Sequence, residues 1–305
     1  MQLLLFGIVY PFAWLFSRLP MRILYMISDV LFFLVYHVFG YRKEVVLKNI
    51  SYAFPEKTFE EKEQLSKEFF KHFTDILMES VKGFTMGKEE ILKRYQYKNP
   101  ELLNSFVKEG KSIALVGAHL ANWEWCVNLP LLTNIPIYGS YNQLRNPYFE
   151  KALRKSRERF GMNGIKTFET VKVMMSNFQN RSQGIYILLS DQSPLVEKTF
   201  YWTEFFGVKV PVHTGLEMLS KKFDLVVINQ HTRKIKRGYY ETEFELITQN
   251  PKSFDNYELT EKYIRITEKS IKKDPENYLW SHNRFKHKDR FDEWLNNYSA
   301  KKTKK

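Results

Sequence analysis

The pattern of apolar and polar positions predicts an α/β chain behind an apolar amino end. Two short runs, residues 112–116 and 184–189, are almost uniformly apolar and rich in β-branched residues. Such runs are typical of strands that are buried on both faces of a parallel sheet. Between them, apolar residues recur at three- and four-residue spacing, which indicates helices that cover the sheet. We therefore predict an α/β fold with a central, mostly parallel sheet flanked by helices.

Local signals define the individual elements. Thr58 with Glu61 three residues later forms a capping box, so a long helix is expected to begin there and to extend to Val81. Further helices are predicted over residues 100–108, from the turn after His119 to about Leu132, and over residues 146–160, 170–178, 215–222 and 259–272. Strands are predicted over residues 112–116, 135–138, 184–189, 225–229 and 239–247.

The amino end contains two apolar stretches, residues 3–16 and 23–39. Neither reaches the ~20 apolar residues of a comfortable membrane span, and Asp29 in the second would cost about 2.5–3.5 kcal/mol to insert. We therefore expect the first stretch to be the anchor and the second to lie along the interface or to pack on the globular domain. A cleaved signal peptide is the alternative, but a basic start and a small-residue cleavage site are missing. The predicted divisions are an anchor and interfacial helix over residues 1–40, a single domain over 41–298 and a basic disordered tail over 299–305.

Charge and cysteine content narrow the class of protein. A net charge of +13 suits a nucleic acid, an anionic membrane surface or an acidic protein as partner. No zinc finger, RNP-type signature or heptad-linked basic region is visible, which argues against a nucleic acid. The single cysteine, Cys126, excludes an internal disulfide and is expected to be a small buried hydrophobe. No Cys/His cluster has metal-ligand spacing, so neither a metal nor a cofactor is expected.

His119 and Glu124 are the strongest candidates for chemistry. Both follow the predicted strand 112–116, at the strand end where α/β proteins build their sites. Residues five apart on one helix point about 140° away from each other. The pair can therefore cooperate only if His119 lies in the turn and Glu124 in the first helical turn, with the carboxylate holding one imidazole nitrogen. The alternative is a structural histidine beside Trp123 and Trp125, with Glu124 favouring a helix N-terminus.

The surrounding residues indicate which reaction such a base would serve. The run 117–121, Gly-Ala-His-Leu-Ala, has histidine where a hydrolase elbow has its nucleophilic serine. A base without a protein nucleophile suggests direct transfer, in which a hydroxyl of the substrate attacks.

Several blocks together resemble the bacterial lipid A late-acyltransferase family, a branch of the lysophospholipid acyltransferase superfamily. The blocks are spread over nearly the whole chain and come in the family's order. They are residues 49–56 (Asn-Ile-Ser-Tyr-Ala-Phe-Pro-Glu), His119 to Glu124 as the family's His-x4-acid motif, Tyr141, Asn146-Pro147, Arg157-Glu158-Arg159, Asp191-Gln192, Phe205-Phe206-Gly207, and residues 275–286.

The resemblance implies a glycerolipid-acyltransferase-like fold and an enzyme of the bacterial inner membrane, with its catalytic domain on the cytoplasmic side. It would move a fatty acyl chain from acyl carrier protein, or from CoA, to a hydroxyl of a lipid A precursor or related bacterial lipid. His119 would be the general base and Glu124 its partner. Arg157 or Arg159 would bind phosphate on the acceptor or stabilise charge, although both also fit the solvated face of a basic helix.

Three further residues, Asp191, Asn122 and Arg145, are predicted to contact the substrate. Asp191 stands where the resemblance has an acid, but Ser193 replaces the second acid that often follows two residues later. Two other functions remain open at this point. One is a non-catalytic protein that binds anionic lipid through the basic helix and tail, and the other is a hydrolase of acyl thioesters.

Overall fold

A seven-stranded sheet forms the centre of the fold and confirms the predicted α/β class. The computed structural model describes the backbone of residues 2–302 and the side chains of residues 2–297. The strands of the sheet lie in the order β1-β9-β8-β2-β5-β3-β4, and every neighbouring pair is parallel except β8 with β9. A separate antiparallel hairpin consists of β6 and β7. The strands are β1 (Tyr95–Tyr97), β2 (Ile113–Gly117), β3 (Ile137–Tyr141), β4 (Met162–Lys166), β5 (Ile185–Leu189), β6 (Tyr201–Phe205), β7 (Val208–Val212), β8 (Val226–Lys236) and β9 (Tyr239–Thr248).

Helices cover the sheet, and their starts follow local chemistry. Thr58 accepts the backbone N–H of Glu61 while the Glu61 carboxylate accepts that of Thr58, so the predicted capping box is confirmed at the start of α4. Asn146 caps α7, and Pro147 occupies its first position. The α-helices of the described residues are α1 (Gln2–Ser17), α2 (Met21–Phe33), α3 (Lys43–Ala53), α4 (Phe59–Lys82), α5 (Lys88–Arg94), α6 (Glu101–Lys108), α7 (Pro147–Arg157), α8 (Thr170–Gln179), α9 (Gly215–Phe223), α10 (Glu258–Lys273) and α11 (Phe291–Lys302).

The central strand β2 is buried along its whole length because helices cover both faces of the sheet. Its last residue must be a glycine, since a Cβ at Gly117 would lie 2.8 Å from the Gln230 Cγ and 3.0 Å from the Gln230 carbonyl oxygen on β8. The chain leaves β2 at this point and enters a turn in which Ala121 adopts a φ of 53°. The predicted helix after this turn is instead a 3-10 helix, Trp123–Leu131, with Pro130 inside it.

The amino-terminal helices differ from the expectation in one respect. By length and composition, Met21–Val38 is the one described helix that could cross a membrane, whereas α1, the expected anchor, is shorter. The α2 helix also packs along α4, where Ser28 donates to Asp75 at 2.7 Å. Asp29 forms an ion pair of 2.6 Å with Arg237, which follows β8. The α1 helix leaves most of its apolar side chains exposed. At the other end, α11 reaches Lys302, and residues 303–305 of the predicted tail lie outside the described residues.

Candidate active site

His119 and Asp191 meet at the carboxyl ends of two neighbouring parallel strands. Strand β2 pairs with β5, and Gly117 lies opposite Leu189 at their carboxyl ends. His119 follows β2 by two residues, and Asp191 follows β5 by two residues. The His119 Nδ1 lies 2.7 Å from the Asp191 Oδ1. The backbone N–H of His119 donates to the Asp191 Oδ2 at 3.2 Å. One carboxylate therefore fixes both the ring and the backbone of the histidine.

The environment of this pair determines which imidazole nitrogen is the base. Asp191 is 1% exposed and the His119 side chain 19%. Burial alone would raise the pKa of the Asp191 carboxyl, but the charge and hydrogen bonds of His119 outweigh it and lower that pKa. An ionised carboxylate only accepts hydrogen bonds, so the proton of the neutral imidazole is on Nδ1. The Nε2 lone pair is then available to a substrate, and the nearest polar side chain to it is the Gln192 amide at 3.4 Å.

His119 is also made more basic by its surroundings. Burial would lower the pKa of His119, but the charge and hydrogen bond of Asp191, with the charge of Glu124 adding to them, raise it above its ordinary value. The Trp123 ring packs edge-on against the imidazole, 5.4 Å between ring centroids. The arrangement can therefore accept a proton at Nε2 and stabilise the resulting imidazolium through Asp191.

Glu124 does not hold the imidazole, so that part of the sequence prediction is wrong. Its carboxylate accepts two hydrogen bonds from Arg157, from Nε at 3.1 Å and from Nη2 at 2.8 Å. The expected geometry failed because Asp191 arrives from the adjacent strand and occupies Nδ1, while the 3-10 turn directs Glu124 towards the end of α7. Glu124 therefore acts on His119 through its charge rather than by contact.

The two predicted arginines of α7 and its extension have different surroundings. Arg157 is bound in a bidentate manner by Glu124 and lies over the Tyr141 ring, 5.7 Å from its centroid. Burial would lower the pKa of Arg157, but Glu124 raises it. Arg159 donates instead to two backbone carbonyls after α4, those of Phe84 and Thr85. Arg157 is therefore joined to Glu124 beside His119, whereas Arg159 has no hydrogen bond to His119, Glu124 or Asp191 among the described side chains.

Asn122 and Arg145 lie in opposite environments, one inside the protein and one on its surface. Asn122 is fully buried. Its side-chain oxygen accepts the backbone N–H of Trp125 at 3.0 Å and its amide donates to Glu79 at 2.5 Å. Asn122 therefore connects the loop after His119 to α4. Arg145 is exposed on the segment between β3 and α7. Neither residue contacts the His119–Asp191 pair through a hydrogen bond of the described residues.

The carboxyl-terminal block, residues 275–286, supports the site through contacts that the sequence did not predict. The Leu279 N–H donates to the His119 carbonyl at 3.1 Å, and the Ala121 N–H donates to the Asn277 carbonyl at 2.9 Å. His282 accepts the Ser193 N–H at Nε2, 2.9 Å away, and burial lowers its pKa to about 4, so it is neutral at ordinary pH. The block thus binds both the loop after β2 and the segment that follows β5. Asp191 at a predicted strand end was the one signal that could have located the pairing from sequence.

Other chemistries receive no support from the described side chains. Burial raises the pKa of the Cys126 thiol to about 12, which leaves it a poor nucleophile and agrees with a small buried hydrophobe. Among the residues that the structure describes, no three His, Cys, Asp or Glu side chains form a group that could hold a metal ion. A cavity of about 660 Å³ lies between residues 53–57 and α10, and His119 and Asp191 are not part of its lining.

Comparison with known sequences identifies the family of the chain. The sequence model of the family described as bacterial lipid A biosynthesis acyltransferase matches residues 2–287. The chain belongs to this acyltransferase family. The resemblance noted from the sequence is thereby confirmed.

Individual members of the lipid A biosynthesis acyltransferase family are distant from this chain. A lipid A biosynthesis acyltransferase of Haemophilus influenzae is 26% identical over 206 residues, which are 64% of this chain and 61% of that protein. A lipid A biosynthesis palmitoleoyltransferase of Escherichia coli is 20% identical over 281 residues, 90% of this chain and 88% of that protein. A lipid A biosynthesis acyltransferase of Shigella flexneri has the same identity and coverage.

Proposed function

We propose that this protein is a membrane-associated O-acyltransferase. It transfers a fatty acyl chain from a thioester, carried by acyl carrier protein or CoA, to a hydroxyl group of a lipid A precursor or a related bacterial lipid. The observation that carries the proposal is the 2.7 Å contact between the His119 Nδ1 and the Asp191 Oδ1, in a chain of an acyltransferase family. This contact leaves Nε2 as the imidazole nitrogen that can act as the base.

The proposed reaction needs one base and no protein nucleophile. The His119 Nε2 takes the proton of the acceptor hydroxyl as its oxygen attacks the thioester carbonyl carbon. The tetrahedral intermediate then collapses, the carbon–sulfur bond breaks, and the imidazolium returns the proton to the leaving thiolate. Asp191 keeps the proton on Nδ1 and balances the transient positive charge. Arg157, held by Glu124, supplies positive charge for a phosphate of the acceptor or for the developing oxyanion.

The amino-terminal helices support a location at a membrane surface. The exposed side of α1 carries large apolar residues, among them Leu4, Ile8 and Phe12. The same helix packs on α7 through Phe6 and Phe149, whose ring centroids are 5.2 Å apart, and α7 ends at Arg157. A lipid acceptor in the membrane would thus be close to the site. The net charge of +13 suits an anionic membrane surface and an acidic carrier protein, as an inner-membrane enzyme with a cytoplasmic domain would meet.

The experiment is a transfer assay with purified protein in detergent. An acyl thioester of acyl carrier protein, or in parallel of CoA, is mixed with a lipid A precursor, and lipids are analysed by mass spectrometry. We expect a lipid heavier by one acyl group, and no such product from His119→Ala. His37→Ala is the matched control, because this exposed histidine contacts aromatic side chains of its own α2 region.

Each other result points to a different function. Free fatty acid without acylated lipid would indicate a thioester hydrolase. Lipid binding that survives His119→Ala, with no acyl product from the wild-type protein, would indicate a non-catalytic lipid-binding protein. The comparison of the two thioesters identifies the donor.

A further inference from the structure

Glu79 is a fully buried carboxyl group beneath the site loop. It lies in the last turn of α4 and is 0% exposed. Its Oε2 accepts hydrogen bonds from the Asn122 amide at 2.5 Å and from the Tyr240 hydroxyl at 2.8 Å. Its Oε1 accepts one from the Tyr25 hydroxyl at 2.8 Å. Three elements, α2, β9 and the loop after His119, therefore converge on one side chain.

This environment is costly, which suggests that the carboxyl group has a purpose. None of the ion pairs among the described side chains includes Glu79, so no cation compensates its burial. Burial raises the pKa of Glu79 to about 7, against the opposing effect of its hydrogen-bond donors. An apolar residue of similar size would avoid this cost. An apolar residue could not, however, accept the hydrogen bonds of Tyr25, Asn122 and Tyr240.

The contacts of Glu79 hold both ends of the segment that contains Glu124. Asn122 donates to the Glu79 carboxylate, and the Trp125 indole N–H donates to the Glu79 backbone carbonyl at 3.1 Å. An ionised carboxylate only accepts, so the Asn122 amide nitrogen faces Glu79 in that form. The Asn122 oxygen is thereby directed at the backbone N–H of Trp125, which it accepts at 3.0 Å.

The segment between these two points carries the groups that surround the base. Trp123 packs against the imidazole of His119 and Glu124 binds Arg157. A change in the path of Asn122 to Trp125 would displace both contacts. The residues in front of this segment are restrained separately, because Ala121 adopts a left-handed φ of 53° and its N–H donates to the Asn277 carbonyl.

We propose that Glu79 is a positioning residue for the transfer reaction: through Asn122 it fixes the loop that places Trp123 against His119 and Glu124 against Arg157. The proposal rests on the proposed acyltransferase function. Glu79 touches no substrate, so its loss should slow the chemical step and leave acyl-donor binding almost unchanged.

The test compares substitutions at Glu79 with a matched buried carboxylate elsewhere. Glu79→Ala removes the acceptor, whereas Glu79→Gln keeps an oxygen for Asn122 and Tyr240 and gives Tyr25 an amide N–H. Glu217→Ala is the control, because Glu217 is 4% exposed and accepts the backbone N–H groups of Tyr257 and Thr260 between α9 and α10. For each folded variant, kcat and KM for the acyl thioester are measured together with the melting temperature.

We expect Glu79→Ala to lower kcat by about 10- to 100-fold, the order of loss that follows a displacement of about 1 Å. KM should change by less than about threefold, and Glu79→Gln should recover most of kcat. Glu217→Ala should lower the melting temperature with kcat retained. Asn122→Ala combined with Glu79→Ala should be no slower than the slower single variant, because both act through one contact.

Two results would overturn the proposal. One is a Glu79→Ala enzyme with wild-type kcat, and the other is a Glu217→Ala enzyme that loses kcat in proportion to its melting temperature, as Glu79→Ala does. Should the wild-type protein transfer no acyl group at all, the proposed function fails instead, and the two failures are thus distinguishable.

Discussion

Replacing Asp191 by asparagine tests whether Asp191 is the partner of the base. The substitution keeps the shape of the side chain and removes its charge. The introduced amide could present either its oxygen or its nitrogen to the His119 Nδ1, so the proton would no longer be fixed there. The imidazolium formed during transfer would also lose the carboxylate that lies 2.7 Å from it.

The burial of Asp191 sets the size of the effect. At 1% exposure the Asp191 carboxylate lies out of water, so solvent cannot replace the lost charge. Removing one partner of a buried, hydrogen-bonded ion pair costs about 3–5 kcal/mol. If that cost falls on the state in which His119 is protonated, it corresponds to a loss in kcat of about 10²- to 10⁴-fold.

The pH dependence gives a second, independent readout. His119 must be neutral to accept a proton, so activity is lost as the pH falls below its pKa. Burial lowers the pKa of His119, whereas the charge and hydrogen bond of Asp191, together with the charge of Glu124, raise it above its ordinary value. Without the Asp191 charge the lowering by burial dominates, and the acid limb of the rate profile should move to lower pH. The assay is kcat against pH for wild-type, Asp191→Asn and Glu124→Gln proteins, each shown to be folded by its melting curve.

Glu124→Gln provides the contrast because Glu124 reaches His119 only through its charge. Glu124→Gln should weaken the hydrogen bonds to Arg157 and reduce activity. It should move the acid limb of the rate profile less than Asp191→Asn does. If the acid limb of Asp191→Asn coincided with that of the wild type while that of Glu124→Gln moved down, the assignment of Asp191 would be refuted and the original His119–Glu124 pairing restored.

Three other predictions follow from single contacts. A double-mutant cycle of Glu124→Gln and Arg157→Ala should show a coupling of about 0.5–3 kcal/mol in kcat/KM, and additive effects would mean that the bidentate pair does not act as a unit. Gly117→Ala should lower the free energy of unfolding by about 1–3 kcal/mol, because its Cβ clashes with the neighbouring strand; denaturant unfolding at wild-type stability would contradict the close approach. Arg237→Ala should destabilise the protein by about 1–3 kcal/mol, since it leaves buried Asp75 without its bidentate partner, and limited proteolysis should then release the amino-terminal helices faster.

Elements with strong local patterns could be predicted from the sequence. The uniformly apolar runs identified β2 and β5, and the capping box identified the start of α4, because each signal depends on neighbouring residues only. Strands β1 and β4 were missed, since three or five residues of mixed burial have no clear period. The hairpin of β6 and β7 was missed as well. The alternation of apolar and polar residues in β7 is interrupted by Pro211. The hairpin is defined by the pairing of its two strands rather than by one buried face.

The site was found from sequence in part, and the missing part was non-local. His119 follows its strand within two residues, so its place at the sheet edge could be inferred. Its partner is 72 residues away along the chain, so only the place of Asp191 at the end of a second predicted strand could have indicated the pairing. Glu124 was assigned to the imidazole because the five-residue spacing allows contact across a turn and matches the family's His-x4-acid motif. Asn122 was predicted to contact the substrate, but it is buried and donates to Glu79.

The register of the sheet explains why Asp191 rather than Glu124 reaches the imidazole. Ile113 pairs with Ile185 and Gly117 with Leu189, so the two parallel strands keep one constant offset along their length. Two residues further on, the same offset brings Asp191 opposite His119, and the contact spans those same 72 residues. A local acid depends on the path of a turn, which has several conformations of similar energy. A paired strand end is fixed by the successive residue pairs that precede it, and it therefore holds a carboxylate against an imidazole with far less freedom.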